Sequence, residues 1–186
     1  MTDRYELVLA SGNRHKLEEL RRVLPDVELE LLGREDPPVE DGETYEANAR
    51  LKAEWGRLHT SAEAWAVGED SGIEAAALGG APGVRTARWA AGEPVARMLE
   101  ALAEATDRGA RYVCVLVAVA ADGRELVARG ALDGEIAARP SGDEGFGFDP
   151  VFVPVGETRT VADLGDAWKT EHSHRARAAR RLAALL

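Results

Sequence analysis

The segment VGEDSGIE, Val67 to Glu74, sets Glu69 beside Asp70 and follows them with Ser71 and Gly72. Adjacent carboxylates suit a hard divalent cation such as Mg²⁺, which takes oxygen ligands and keeps waters. The acidic run Glu40-Asp41-Gly42-Glu43 is a second source of such ligands. At the end of a strand in an α/β sheet, carboxylates line the usual ligand crevice. A solvated acidic turn has the same composition, so both readings stand on these residues alone.

Three other stretches carry chemistry of a complementary kind. SGNRHKLEEL, Ser11 to Leu20, follows the apolar run Leu7–Ala10. A strand, a glycine turn and a helix start point several backbone N–H groups at one spot, with the positive end of the helix dipole behind them. Phosphate fits there, and an anion would account for Lys16, a cation in a first helical turn. The Walker A spacing is absent, and a plain N-cap turn is the alternative. GDEGFGFDP, Gly142 to Pro150, offers Phe146 or Phe148 for stacking on a base; the same rings could instead plug the core. WKTEHSHRARAARR, Trp168 to Arg181, gathers Lys169, His172, His174 and Arg175. An arginine there can donate two hydrogen bonds to O6 and N7 of a 6-oxopurine, and adenine's 6-amino group would repel it. Arg177, Arg180 and Arg181 read as a solvated helix face, His15 and His59 as surface residues. The four histidines lack zinc spacing.

These residues need a scaffold, and apolar periodicity supplies one. Strands are predicted at Glu6–Ala10, Val27–Leu32, Trp65–Gly68, Ile73–Leu78, Arg111–Ala120, Glu125–Ala131, Gly134–Ile136 and Val151–Val153. Helices are predicted at Arg14–Leu24, ended by Pro25, at Thr44–Leu58, at Glu93–Ala105 and at Ser173–Leu186. Asp122-Gly123 reads as a hairpin turn. Strands interleaved with helices, plus one hairpin, imply an α/β fold with a mixed sheet.

Composition narrows the function. The 186 residues, 45% hydrophobic, suit one globular domain. No apolar stretch is long enough to cross a bilayer, and Met1–Tyr5 shows no signal-peptide pattern, so a soluble cytoplasmic protein is expected. Cys114, the only cysteine, is expected to be a buried thiol. The net charge of −10 disfavours general nucleic-acid binding and requires a local basic cluster or a metal at any nucleotide site. Lysine occurs only at Lys16, Lys52 and Lys169, asparagine only at Asn13 and Asn48, and glutamine nowhere. A GC-rich genome or a heat-adapted host gives such a bias.

Taken together, the segments resemble the inosine triphosphate pyrophosphatase family, house-cleaning enzymes that act on non-standard purine nucleoside triphosphates. The matching residues are Ser11-Gly12-Asn13-x-x-Lys16-x-x-Glu19, Glu69-Asp70-Ser71-Gly72-Ile73, Leu78–Val84, Ala87-Arg88-Trp89, Gly145–Phe152 and Ser173-His174-Arg175, in family order over nearly the whole chain. The resemblance implies that Ser11, Gly12, Asn13, Arg14, His15 and Lys16 bind the triphosphate. It implies that Glu40 and Asp70, with Glu69 beside them, are the carboxylates of a Mg²⁺ site, and that Asp70 is the proton acceptor. Lys52 and Ser71 would contact the nucleotide. Phe146, Gly147, Phe148, Asp149, Lys169, His174 and Arg175 would hold the base and sugar. Phe148 stands where the family usually has tyrosine, Arg85 replaces a common aromatic, and the Glu40 segment is one residue short.

The implied fold is an elongated mixed α/β sheet with flanking helices and two lobes around a nucleotide-binding cleft, residues 1–186 forming one domain and the protein a homodimer. The implied reaction is Mg²⁺-dependent hydrolysis of ITP, dITP and XTP to the monophosphate and pyrophosphate. A pyrophosphatase acting on pyrimidine or modified triphosphates, and a nucleotide sensor without turnover, are the alternatives. Carboxylates beside phosphates disfavour binding unless a metal intervenes, which argues against the sensor.

Overall fold

The computed structural model describes residues 5–34 and 36–186. In chain order the elements are β1 (Glu6–Leu9), α1 (Arg14–Val23), β2 (Glu28–Leu31), α2 (Tyr45–Arg57), β3 (Trp65–Ala75), α3 (Thr86–Ala90), α4 (Pro94–Ala101), β4 (Gly109–Val119), β5 (Glu125–Ile136), β6 (Phe152–Pro154), α5 (Val161–His172) and α6 (His174–Ala183). Among the described residues the strands form a six-stranded sheet in the order β2-β1-β3-β4-β5-β6. β1 runs parallel to β2 and β3, and β6 antiparallel to β5. The expected mixed α/β sheet is therefore present. No helix among the described residues is long and apolar enough to cross a membrane.

The chain divides into two compact units. The first holds the described residues up to Asp70, Cys114–Gly130 and Arg175–Leu186; the second holds Ser71–Val113 and Ala131–His174. Each has its own apolar core. In the first, Leu7 and Leu9 of β1, Leu17 and Leu20 of α1, Trp65 and Val67 of β3, Leu116 of β4 and Leu182 of α6 are buried together. In the second, Ile73, Met98, Leu102, Ile136, Phe148, Val151 and Phe152 do the same.

α2 delivers buried polar side chains to the first unit. Ala49, Ala53 and Gly56 make a small-residue stripe on one helix face, and all three are buried. That stripe lets the helix backbone lie directly on β3. A Cβ placed on Gly68 would stand 1.9 Å from the carbonyl oxygen of Ala49 and 2.6 Å from the nitrogen of Ala53. Asn48 and Lys52, one residue before each alanine, are carried into the interior by the same contact. Gly68→Ala must push α2 off β3. The expected loss is about 1–3 kcal/mol of stability, as for other overpacked cores. Asn48 and Lys52 move with the helix, so their buried contacts should be disturbed as well. Urea unfolding of the variant beside wild type checks this.

Several boundaries differ from those predicted. The two strands expected around a Ser71-Gly72 turn are one continuous strand, β3, and Leu78 lies in a short 3₁₀ turn, Ala76–Leu78. Glu69 and Asp70 therefore sit inside a strand, buried, and not at its end. The polar run looked like a turn because its partners, distant basic side chains, are invisible locally. Likewise Glu125–Ala131 and Gly134–Ile136 are one strand, β5. Gly134 marks close packing, since a Cβ there would stand 2.7 Å from the Phe152 ring. The predicted helix Glu93–Ala105 is shorter, Pro94–Ala101.

α5 lies where apolar periodicity predicts no element. Gly165 has φ 83° and ψ 177°, so the helical path breaks within the element and its periodicity with it. The available cue was Thr160, whose hydroxyl caps the helix by accepting from the Asp163 N–H.

Candidate active site

In the first unit the chain from β1 into α1 forms a capped turn. Asn13 is the N-cap, and its side-chain carbonyl oxygen accepts from the N–H groups of His15 (3.0 Å) and Lys16 (3.3 Å). The Ser11 hydroxyl oxygen accepts from the Asn13 N–H at 3.1 Å. So the plain-cap reading describes the local geometry. Arg14 and His15 are exposed. Lys16 finds its anion within the protein, in an ion pair with Glu69.

Glu69 is fully buried and collects donors. Arg175 donates to its Oε1 from Nε (3.2 Å) and Nη2 (3.1 Å), and the Cys114 thiol donates to the same oxygen at 3.4 Å. Arg175 is itself buried and also ion-paired with Glu19 of α1. Burial opposes ionisation of Glu69, yet Lys16, Arg175 and Lys52 overcome it and hold the carboxyl well below the usual carboxylate range. Burial and the Glu69 charge push the Cys114 thiol well up, so it is an inert, protonated donor.

Next to this anion stands a second group. Lys52 Nζ donates to Glu40 Oε2 at 2.7 Å and to Asp70 Oδ1 at 3.2 Å. Two hard oxygen donors from separate segments thus converge on one cation. That donor chemistry fits Mg²⁺, for which one or two carboxylates suffice when waters and phosphates complete the shell. Burial pushes Asp70 up to about 6, and the negative Glu69 and Glu40 add to the rise while Lys52 and Lys16 oppose it. A carboxylate so placed changes charge near neutrality and can take up a proton there. Among the described residues no group of three or more His, Cys, Asp or Glu side chains is arranged to hold a metal ion.

The second unit organises the glycine-rich loop around Asp149. Asp149 Oδ2 accepts from Lys169 Nζ at 2.6 Å and from the Phe146 N–H at 2.9 Å. Its Oδ1 accepts from the Tyr112 hydroxyl at 3.2 Å. The loop can close this tightly because Gly145 has φ +77°, and a Cβ there would stand 2.3 Å from Asp149 Oδ2. The Lys169 ammonium lies 4.8 Å from the centre of the Phe146 ring. The Tyr112 ring stacks on His174, with centroids 4.6 Å apart and planes 10° from parallel.

The residues expected from sequence fall into these two groups. Ser11–Lys16, Glu40, Lys52, Glu69, Asp70 and Arg175 belong to the first unit; Ser71, Phe146–Asp149, Lys169 and His174 to the second. Phe148 as a stacking surface needs correction: it is buried in the core and tilted against Trp89, 6.4 Å between centroids. Phe146 is the half-buried ring of the pair. Glu69, expected among the metal carboxylates, is committed to Lys16 and Arg175. Arg175, expected to read a purine, is committed to Glu69 and Glu19. Sequence reasoning gave no role to Glu19, Asn48 or Tyr112. Asn48 had a visible cue, being one of two asparagines in the chain; Tyr112, inside an apolar run, had none.

A model described as the Ham1 family matches residues 7–185. A Bdellovibrio bacteriovorus protein named dITP/XTP pyrophosphatase is 39% identical over 186 aligned residues, 93% of each chain. A Mycobacterium tuberculosis protein of the same name is 46% identical, with 93% of this chain and 91% of that one covered. The solved structure of the Staphylococcus aureus Ham1 protein gives a TM-score of 0.84 at 33% identity, covering 97% of each chain.

Proposed function

This chain belongs to the Ham1 family, and from that premise we infer that it hydrolyses non-standard purine nucleoside triphosphates, ITP, dITP and XTP, to the monophosphate and pyrophosphate. The observation that carries the reading is the convergence of Lys52, Glu40 and Asp70, beside the Lys16–Glu69 pair in the same unit. An acidic protein needs such a local cation cluster to receive a triphosphate.

Lys16, backed by the capped turn, binds the phosphate chain, and Lys52 and Ser71 contact the nucleotide. Glu40 and Asp70 would hold Mg²⁺, which when bound would neutralise phosphate charge and so favour departure of pyrophosphate. Asp70 orients the attacking water and accepts its proton; the water adds in line at the α-phosphorus as the bond to the pyrophosphate oxygen breaks. Glu69 anchors Lys16 and Arg175. The base and sugar end falls to Phe146, Gly147, Asp149, Lys169 and His174, with Phe148 supporting from the core. Arg175 would read O6 only by exchanging part of its hold on Glu69 and Glu19. The enzyme acts as a cytoplasmic homodimer, residues 1–186 forming one catalytic domain.

Pyrophosphate release from ITP, XTP, dITP, GTP, ATP and CTP, with Mg²⁺ or with EDTA, tests this directly. Fast release from the first three, abolished by EDTA, is expected. Equal release from all six would overturn the purine selectivity. Tight binding of ITP without release would favour a sensor.

A further inference from the structure

Asn48 is fully buried, and the proposed reaction makes no use of it. Two hydrogen bonds define its orientation. The Gly42 N–H donates to its Oδ1 at 2.8 Å, and its Nδ2 donates to Asp70 Oδ2 at 3.3 Å. The first bond sets the second: with the amide oxygen turned to an N–H donor, the amide nitrogen must face Asp70. The other Asp70 oxygen, Oδ1, accepts from Lys52. Each oxygen of this carboxylate therefore has its own donor, and both donors come from α2, one turn apart.

Gly42 lies two residues beyond Glu40, which accepts from the same Lys52. A single amide thus ties the loop that carries Glu40 to the strand that carries Asp70. The fit admits no side chain at position 42. A Cβ there would stand 2.6 Å from Asn48 Oδ1 and 2.9 Å from the Ala47 Cβ. Gly42 does not have a positive φ, so this close approach is the reason for glycine, not backbone conformation.

We propose that Asn48, together with Gly42, is a positioning device for the metal-directed carboxylates. It holds Asp70 in one rotamer and the Glu40 loop in one place before substrate arrives. Neither residue touches the reacting atoms. An amide suits the task because it offers an acceptor to the loop and a donor to the carboxylate at once. Leucine, with the same branching of heavy atoms, offers neither.

The inference rests on the pyrophosphatase reading, so the test has one arm that needs turnover and one that does not. Asn48→Leu and Gly42→Ala are compared with wild type for kcat and KM on ITP and for the Mg²⁺ concentration giving half-maximal rate. Binding of Mn²⁺ alone is followed by electron paramagnetic resonance, with thermal unfolding as a check on folding. Positioning of metal ligands by outer partners is typically worth about 10–100-fold, so kcat should fall and half-saturating Mg²⁺ should rise by about that factor. KM for ITP should stay within about threefold of wild type, since phosphate and base contacts are untouched. Mn²⁺ affinity should weaken in parallel.

Gly42→Ala reaches the same bond from the loop side, so it keeps the test decisive if Asn48→Leu fails to fold. Unchanged kcat, Mg²⁺ requirement and Mn²⁺ affinity in a folded variant would overturn the proposal. Weaker Mn²⁺ binding in variants of a wild type that hydrolyses no triphosphate would instead overturn the pyrophosphatase reading and leave the positioning role standing.

Discussion

Asp70→Asn is expected to release pyrophosphate from ITP about 10³-fold more slowly than wild type, the range for loss of a general base, and yet to unfold at a higher temperature at pH 8. Both outcomes follow from where Asp70 sits. It is buried in β3, and burial pushes its carboxyl up to about 6 from an ordinary value of 3.8. Between those two pH values the folded chain keeps a proton that the unfolded chain releases. The folded state then binds more protons than the unfolded one, so stability falls as pH rises through this window and stays reduced above it. A shift of this size corresponds to about 3 kcal/mol. Asparagine carries no charge and so removes the pH-dependent penalty, while its amide nitrogen cannot accept and gives up one of the two donors, Asn48 or Lys52, at every pH. The metal-free variant should therefore gain most over wild type above pH 6 and little near pH 4. Thermal unfolding in EDTA from pH 4 to pH 8, beside the ITP assay, checks both halves. Near-wild-type turnover would remove Asp70 from the chemistry. A variant that melts well below wild type at pH 8 would show that ionised Asp70 supports the fold through Lys52.

Glu69→Ala should do the opposite and more severely. Glu69 is buried with Arg175 behind it and Lys16 paired to it. Removing one member of a buried pair leaves uncompensated charge, which typically costs about 3–5 kcal/mol. Arg175 retains Glu19, so its loss is partial, whereas Lys16 loses its anchor and the phosphate grip loosens. The expected variant has a clearly lower urea midpoint and a raised KM for ITP. Glu69→Gln should lie between it and wild type, because the amide oxygen can still accept from Arg175. The pH dependence has the reverse sign to that of Asp70. Burial disfavours the Glu69 anion, but the surrounding cations dominate and its carboxyl stays well below the usual range. The stability it contributes is complete above the unfolded carboxyl value and is lost as pH falls through the folded one. Wild type should thus lose stability in acid through Glu69, and Glu69→Gln should lack that part of the loss. A Glu69→Ala variant as stable as wild type would mean that Lys16 and Arg175 are not held by this carboxylate.

Much of the fold was legible in apolar spacing. β1, α1, β2, α2 and β4 lie within a few residues of where periodicity and Pro25 put them, because their core contacts repeat with the period of the element itself. The mixed sheet followed from the interleaving and the Asp122-Gly123 turn. What failed was local chemistry satisfied from a distance. Glu69 and Asp70 look like a turn in sequence, and they lie within a strand because Lys16, Lys52 and Arg175 neutralise them there. Phe148 looks like a surface for a base and is core, since only tertiary packing distinguishes two rings spaced two apart on one loop.

The residue types of the site were equally legible: three lysines in a lysine-poor chain, paired carboxylates and glycine-flanked aromatics are visible without coordinates. Their pairings were not. Lys16 with Glu69, Lys52 with Glu40 and Asp70, Lys169 with Asp149 and Asn48 between Gly42 and Asp70 join residues from separate elements. Sequence determines which charges and which small residues are available, because those are properties of single side chains and their spacing. Tertiary structure decides which charge meets which, because a buried ion is tolerated only where the fold delivers a partner within a few ångströms.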